Sequence, residues 1–317
     1  MKKHFKLVFV LLLAAFSSVS FARDMPQKEK KMKTIRLVYG QWQGGDYGKP
    51  YTPIYGFGAQ LMAWLAPASD APLLEVPVDA YTGAKPETVR GVVWKDTVIR
   101  QMNAARSLID QHKPDRIITF GGDCHVSQAP FAWLNERYDG NVGILWIDAH
   151  PDLSTPNETA RAHAMVLGNL LGGGDAELAA EVKTPYKPEN ILYIGMDEML
   201  PKESALVQKY GIPMVKTEDV AADSKKVTDW IRQRNLKHVV IHLDVDVLDP
   251  RSFYSVLPNY KGLDFETIDG KMTIPQLTRL LNDIDGASTV VGISFAEYMP
   301  WDAQNLKTML ESLPFMK

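Results

Sequence analysis

A single cysteine, Cys124, occurs in the 317 residues. An internal disulfide is therefore excluded, and a lone thiol in an oxidising compartment is expected to be buried or bound. Basic charge is not in excess either: 35 Lys and Arg face 38 Asp and Glu, for a net charge of −3. That balance argues against a nucleic-acid partner. No internal repeat and no low-complexity linker follows the first thirty or so residues, so nothing marks a seam between domains. The apolar run LVFVLLLAAF is shorter than the roughly 20 residues a bilayer span requires.

That run sits in a recognisable setting. MKKHFK before it is basic and free of acids, and SSVSFA after it places small residues at Ser20 and Ala22. This is the layout of a secretory signal. Residues 1–22 are expected to be a signal peptide, residues 23–33 a charged flexible segment containing KEKKMK, and residues 34–317 a single domain. Cleavage would remove Lys2, Lys3 and Lys6 and no acid, moving the net charge from −3 to −6. The expectation is a periplasmic or secreted protein with no stable membrane insertion after cleavage. The remaining chain is long enough to bury a large core.

Short apolar or β-branched runs recur along that chain. They are TIRLVY (34–39), PLLEVPV (72–78), RIITF (116–120), VGILWID (142–148), NILYIG (190–195), IPMVK (212–216), HVVIHLD (238–244) and TVVGISF (289–295). Between them, residues 94–112, 129–138, 202–210, 225–234 and 274–284 carry apolar side chains at helical spacing. Eight strands separated by helices predict an α/β fold with a mostly parallel sheet. Uninterrupted runs such as VGILWI suit strands covered on both faces. Residues 249–271 are rich in Pro, Gly and aromatics without periodicity, and loops of that length in compact domains are often functional.

Ligands of open α/β sheets lie outside the carboxyl ends of the strands. Four strands lead there into chemistry-bearing residues: GGDCHVS (121–127), DAHPD (148–152), DVDVLDP (244–250) and AEYMP (296–300). Asp148, His150 and Asp152 alternate, as do Asp244 and Asp246, so in extended chain each set points to one side. Four carboxylates and an imidazole in one small volume repel unless cations compensate them. Such a donor set suits Mn2+, Mg2+ or Zn2+, with the carboxylate excess favouring Mn2+.

These four motifs, in this order, resemble the signatures of the arginase–agmatinase (ureohydrolase) family. The resemblance implies a three-layer α/β/α fold with an eight-stranded sheet and a two-Mn2+ centre. It further implies hydrolysis of a guanidino group to urea and an amine, with metal-bound hydroxide as nucleophile and a small molecule as substrate. By the same resemblance, Asp148, His150, Asp152, Asp244 and Asp246 match metal ligands. Glu297 matches the acid that pairs with the substrate guanidinium, and His163 the histidine that shuttles a proton. Family members are often oligomers, so a homo-oligomer belongs to the implication.

The chain departs from the family at GGDCHVS. The family places a metal-binding histidine after GGD, where this chain has Cys124. Three readings stay open: Cys124 binds as thiolate, which favours Zn2+ or Fe over Mn2+; the loop slips so that His125 binds; or neither binds and one metal remains. Cys124 is the preferred ligand, with His125 beside it. Asp123 is read as bracing the loop, and His242, two residues before Asp244, as core or support. Ser154, Thr155 and Asn157 are candidates for gripping a polar substrate end, and Tyr254 and Tyr260 for shaping an aromatic pocket. Two other functions remain: a single-Zn2+ deacetylase-like amidohydrolase, and a family member that binds metal and ligand without turnover.

Overall fold

A computed structural model describes residues 32–199, 201–261, 263 and 268–317. The expected signal segment, and all of the charged segment before Met32, lie outside the described residues.

The central apolar runs become strands because both of their faces find apolar cover, whereas Leu73 and Met214 on the edge strands are exposed. The strands are β1 (Thr34–Tyr39), β2 (Leu73–Glu75), β3 (Thr88–Val89), β4 (Val92–Val93), β5 (Arg116–Gly121), β6 (Val142–Ile147), β7 (Ile191–Ile194), β8 (Met214–Val215), β9 (His238–Asp244) and β10 (Thr289–Ala296). Eight of them form a sheet in the order β2-β1-β5-β10-β9-β6-β7-β8, and every pairing in it is parallel. All eight strands expected from the sequence are thus in one sheet, though PLLEVPV and IPMVK contribute only short central pieces. β3 and β4 form a separate antiparallel hairpin that the sequence pattern did not reveal. Its turn residues, Arg90 and Gly91, both adopt positive φ, the backbone of a tight two-residue hairpin.

The helices are α1 (Ile54–Leu65), α2 (Lys95–His112), α3 (Gln128–Arg137), α4 (Val166–Leu170), α5 (Ala176–Ala180), α6 (Pro201–Tyr210), α7 (Lys225–Gln233), α8 (Ile274–Ala287) and α9 (Ala303–Ser312). They cover the sheet on both sides, giving three layers. On one side Val98, Met102 and Ile109 of α2 and Phe131 of α3 pack with Ile117, Ile144, Trp146 and Val240. On the other, Leu277 and Leu281 of α8 and Leu306 and Leu310 of α9 pack with Ile118, Leu145, Ile241 and Ile293. Neighbouring residues of one strand, such as Ile144 and Leu145, therefore belong to opposite cores, as strand alternation requires. Among the described residues no helix is long and apolar enough to cross a membrane.

The strand order has one consequence for the site. The four strands that lead into the motifs, β5, β10, β9 and β6, are the central four of the sheet, side by side. Their register brings the motifs to one level: Ile147 pairs with Leu243, Asp244 with Ala296, and Phe295 with Phe120.

Candidate metal centre

At the end of β5 the chain turns over Gly121 and Gly122 against its neighbours. A Cβ on Gly122 would lie 1.9 Å from the Gln41 carbonyl oxygen, so only glycine permits this path. Asp123 then begins a short 3-10 turn over Cys124–Ser127. Its carboxylate accepts from His125 N at 3.0 Å, Gly45 N at 3.1 Å and Gln41 Nε2 at 3.3 Å. Asp123 is thus a brace for two loops. Burial raises its pKa to about 7.

The turn aims Cys124 and His125 in different directions. Cys124 Sγ donates to Asp244 Oδ2 at 3.0 Å and to Glu297 Oε1 at 3.3 Å. His125 is fully buried, with Nδ1 at 3.3 Å from Gln41 Nε2, and it is not among the cavity-lining residues. Burial lowers its pKa to about 4. Cys124 therefore faces the carboxylates, and His125 lies behind the loop rather than beside the cysteine.

After β6, Asp148 accepts from His150 N at 2.7 Å and from Trp146 Nε1 at 2.9 Å. Asp152 takes a left-handed backbone with φ +47°, which turns its side chain back towards the strand ends. After β9, Asp244 accepts from Asp246 N at 2.8 Å, and Asp246 Oδ2 lies 2.9 Å from His150 Nδ1. Burial and the neighbouring carboxylates push Asp152 and Asp244 well above the ordinary range. Asp246 rises to about 6, mainly through burial, although His150 opposes the shift. Burial acts on Asp148 in the same sense, but the imidazoles of His150 and His242 outweigh it and hold that carboxyl low. Burial also raises the Cys124 thiol, and the acids around it raise it further.

Glu297 closes the site from β10. Its backbone is also left-handed, with φ +60°, and its N–H donates to Gly122 O at 2.7 Å. Oε1 lies 2.8 Å from His163 Nδ1, and Oε2 accepts from Tyr55 OH at 3.0 Å. Burial lowers the His163 pKa, yet its bond to Glu297 more than reverses this and leaves it above its ordinary value. The same bond overcomes burial at Glu297 and holds that pKa down.

All of this opens into a cavity of about 830 Å³. Cys124, His150, Asp152, His163, Asp244, Asp246, Glu297 and Ser154 line it. Thr155 and Asn157 do not. The Thr155 hydroxyl donates to Glu158 Oε2 at 2.6 Å and accepts from Asn157 N at 3.2 Å, so both residues close a local turn. Tyr254 and Tyr260 pack against Trp301 and do not line the cavity, although Tyr260 also packs on Tyr51, with ring centroids 5.0 Å apart, and so backs the wall of the cavity. Its aromatic wall is instead Tyr47, Tyr51 and Tyr55, which the sequence reading missed. Their signal was present: residues 41–55, rich in Gly and aromatics and without periodicity, follow β1 at the same sheet edge as the other motifs.

Two donor sets emerge whose ligand atoms lie within 4.8 Å of one another: Cys124, Asp148, Asp152 and His242, and Asp148, His150 and Asp246. Asp244, Asp246 and Glu297 form a further such group, and Cys124, His163 and Glu297 another. These residues fit divalent cations. Asp152 Oδ2 and His242 Nε2 are buried without a hydrogen-bond partner, as atoms kept for an ion would be.

Comparison with known proteins follows the same lines. The sequence model of the arginase family matches residues 75–311. An arginase of Staphylococcus aureus is 31% identical over 140 residues, which are 42% of this chain and 46% of that protein. The chain thus spans about half the length of such curated relatives. The solved arginase of Entamoeba histolytica in complex with L-ornithine superposes with a TM-score of 0.71 at 18% identity, over 88% of this chain and 95% of that one. The arginase of Bacillus caldovelox gives a TM-score of 0.71 at 18% identity, over 90% and 97%. At such identities the two structures establish the fold.

Proposed function

This chain belongs to the arginase family, and from that premise we propose that it is a metal-dependent hydrolase of guanidino or related C–N bonds, yielding urea and an amine. One observation carries the reading. Two carboxylate-rich donor sets and the Glu297–His163 pair converge on one cavity at the carboxyl ends of four adjacent strands.

Divalent cations bound there would lower the pKa of water and supply a nucleophile near neutral pH. The chain's own residues do the rest. Glu297 offers a carboxylate that a planar guanidinium can meet with two parallel N–H···O bonds. Tyr55, donating to Glu297 Oε2, holds that carboxylate in place. His163, against Glu297 Oε1, is placed to deliver a proton to the leaving amine. Ser154 and the tyrosine wall border the space for the rest of the substrate. Mn2+ is the family's usual ion, and Cys124 makes Zn2+ the natural alternative at one position. The N-terminal pattern of residues 1–22 supports an exported protein, periplasmic or secreted.

The test is direct. Protein loaded with Mn2+ or with Zn2+ is incubated with arginine, agmatine and guanidino acids, and urea is assayed. At least one substrate should yield urea. No urea from any of them with either ion overturns the reading.

A further inference from the structure

Three imidazoles lie near Cys124, and the structure separates them. His125 has Nδ1 against Gln41 and a buried, unpartnered Nε2, but it joins none of the donor groups among the described residues. His163 Nδ1 is engaged by Glu297 at 2.8 Å. His242 remains, reaching the site from within β9.

The surroundings of His242 fix its ring. It pairs across the sheet with Trp146 and stacks on that indole, with centroids 3.7 Å apart and planes 9° apart. Nδ1 lies 2.8 Å from Ser127 Oγ. If Ser127 accepts there, Nδ1 carries the proton and Nε2 presents its lone pair, the arrangement in which a histidine binds a metal with its far nitrogen oriented from behind. Nε2 is fully buried, has no hydrogen-bond partner, and sits 3.5 Å from Asp148 Oδ2. Ligand atoms on one tetrahedral ion with bonds of 2.0–2.3 Å lie roughly 3.3–3.8 Å apart. The unpartnered Asp152 Oδ2 belongs to the same four-residue group, together with Cys124 Sγ.

We propose that His242 is a metal ligand, completing with Cys124, Asp148 and Asp152 a first metal position of one sulfur, one nitrogen and two carboxylates. This rests on the metal-dependent reading above and deepens it. The position is softer than its neighbour, where Asp148, His150 and Asp246 gather, so the two positions are chemically unlike. The first takes Zn2+ or Co2+ in preference to Mn2+. Binding there deprotonates Cys124 and releases its proton to solvent.

The test reads ligands rather than turnover. The metal-free full-length protein is titrated with one equivalent of Co2+ or Zn2+ and followed by electronic and X-ray absorption. A thiolate-to-cobalt charge-transfer band and one sulfur per ion are expected, both lost in Cys124→Ser. The imidazole scattering should persist in His150→Gln and disappear in the double variant His150→Gln, His242→Gln. Ser127→Ala should keep the same ligand count while weakening affinity roughly 10- to 100-fold. Should the double variant fail to fold, His150→Gln decides: sulfur with imidazole supports the assignment, and sulfur alone overturns it. Imidazole unchanged after loss of His242, or no sulfur on the first ion, also overturns it. Because no substrate is involved, absence of urea in the assay above would leave this result standing on its own.

Discussion

His125 and Cys124 are neighbours in sequence with opposite environments, and the difference is measurable. An unfolded histidine binds its proton near pH 6.5, whereas burial keeps His125 neutral down to about 4. Between those values the unfolded chain holds more protons, so this residue makes stability fall as pH drops through the window. The slope is at most about 1.36 kcal/mol per pH unit. His125→Gln should remove that component. In urea unfolding, the variant should gain on the parent by up to about 3 kcal/mol between pH 6.5 and 4; a difference that stays constant with pH would contradict the burial argument. Glu297 is tested through rate. Glu297→Gln keeps the shape but removes the charge proposed to meet a guanidinium. Loss of one partner of a buried charge pair costs about 2–5 kcal/mol. Urea formation at low substrate should drop roughly 30- to 4000-fold, while an unchanged kcat/KM would remove Glu297 from substrate binding.

Among the elements, the β5 turn is the most tightly constrained. Alanine at Gly122 would put its Cβ against the backbone of Gln41, where no side chain can swing away. Overpacking of this kind costs about 1–3 kcal/mol or more. Gly122→Ala should lower the denaturant midpoint and also disturb the cysteine two residues on; a variant as stable as the parent would show that the turn can open. Helix α1 teaches a related lesson. Its residues IYGFGAQLMAWL lie outside the helical segments expected from the sequence, and two glycines interrupt their pattern. The structure explains Gly58: a Cβ there would meet Tyr298 O at 2.0 Å. Helix propensity yields to close packing, and it is this helix that brings Tyr55 to Glu297. The five helices expected from the sequence were legible because apolar residues recur in them at helical spacing.

For the molecule as a whole, the described residues from Met32 onward form one compact unit around the sheet, and on the proposed reading cations bound among the clustered acids add to its stability. A cation that binds only the folded state at a hundredfold excess over Kd adds about 2.7 kcal/mol. For a domain of this size the thermal midpoint should then rise by roughly 4–5 °C on addition of Mn2+ or Zn2+. Asp148→Asn, which touches both donor sets, should abolish most of the rise. A midpoint that neither ion moves would argue against a metal centre.

The sequence by itself determined the eight strands, five of the helices and the residue types at the strand ends. Those features depend on local periodicity and on where an apolar run gives way to polar residues. It also determined the departure at Cys124. Only the tertiary structure decided that β5, β10, β9 and β6 are neighbours, since alternation sets the face of a residue but not the strand beside it. It alone turned Cys124 towards Asp244 and His125 towards Gln41, because a one-residue step in a 3-10 turn reverses what a side chain meets. It alone placed His242 against Trp146 with a free nitrogen at the site. In the sequence that histidine is one more residue of a buried strand; across the sheet it stands beside the cysteine.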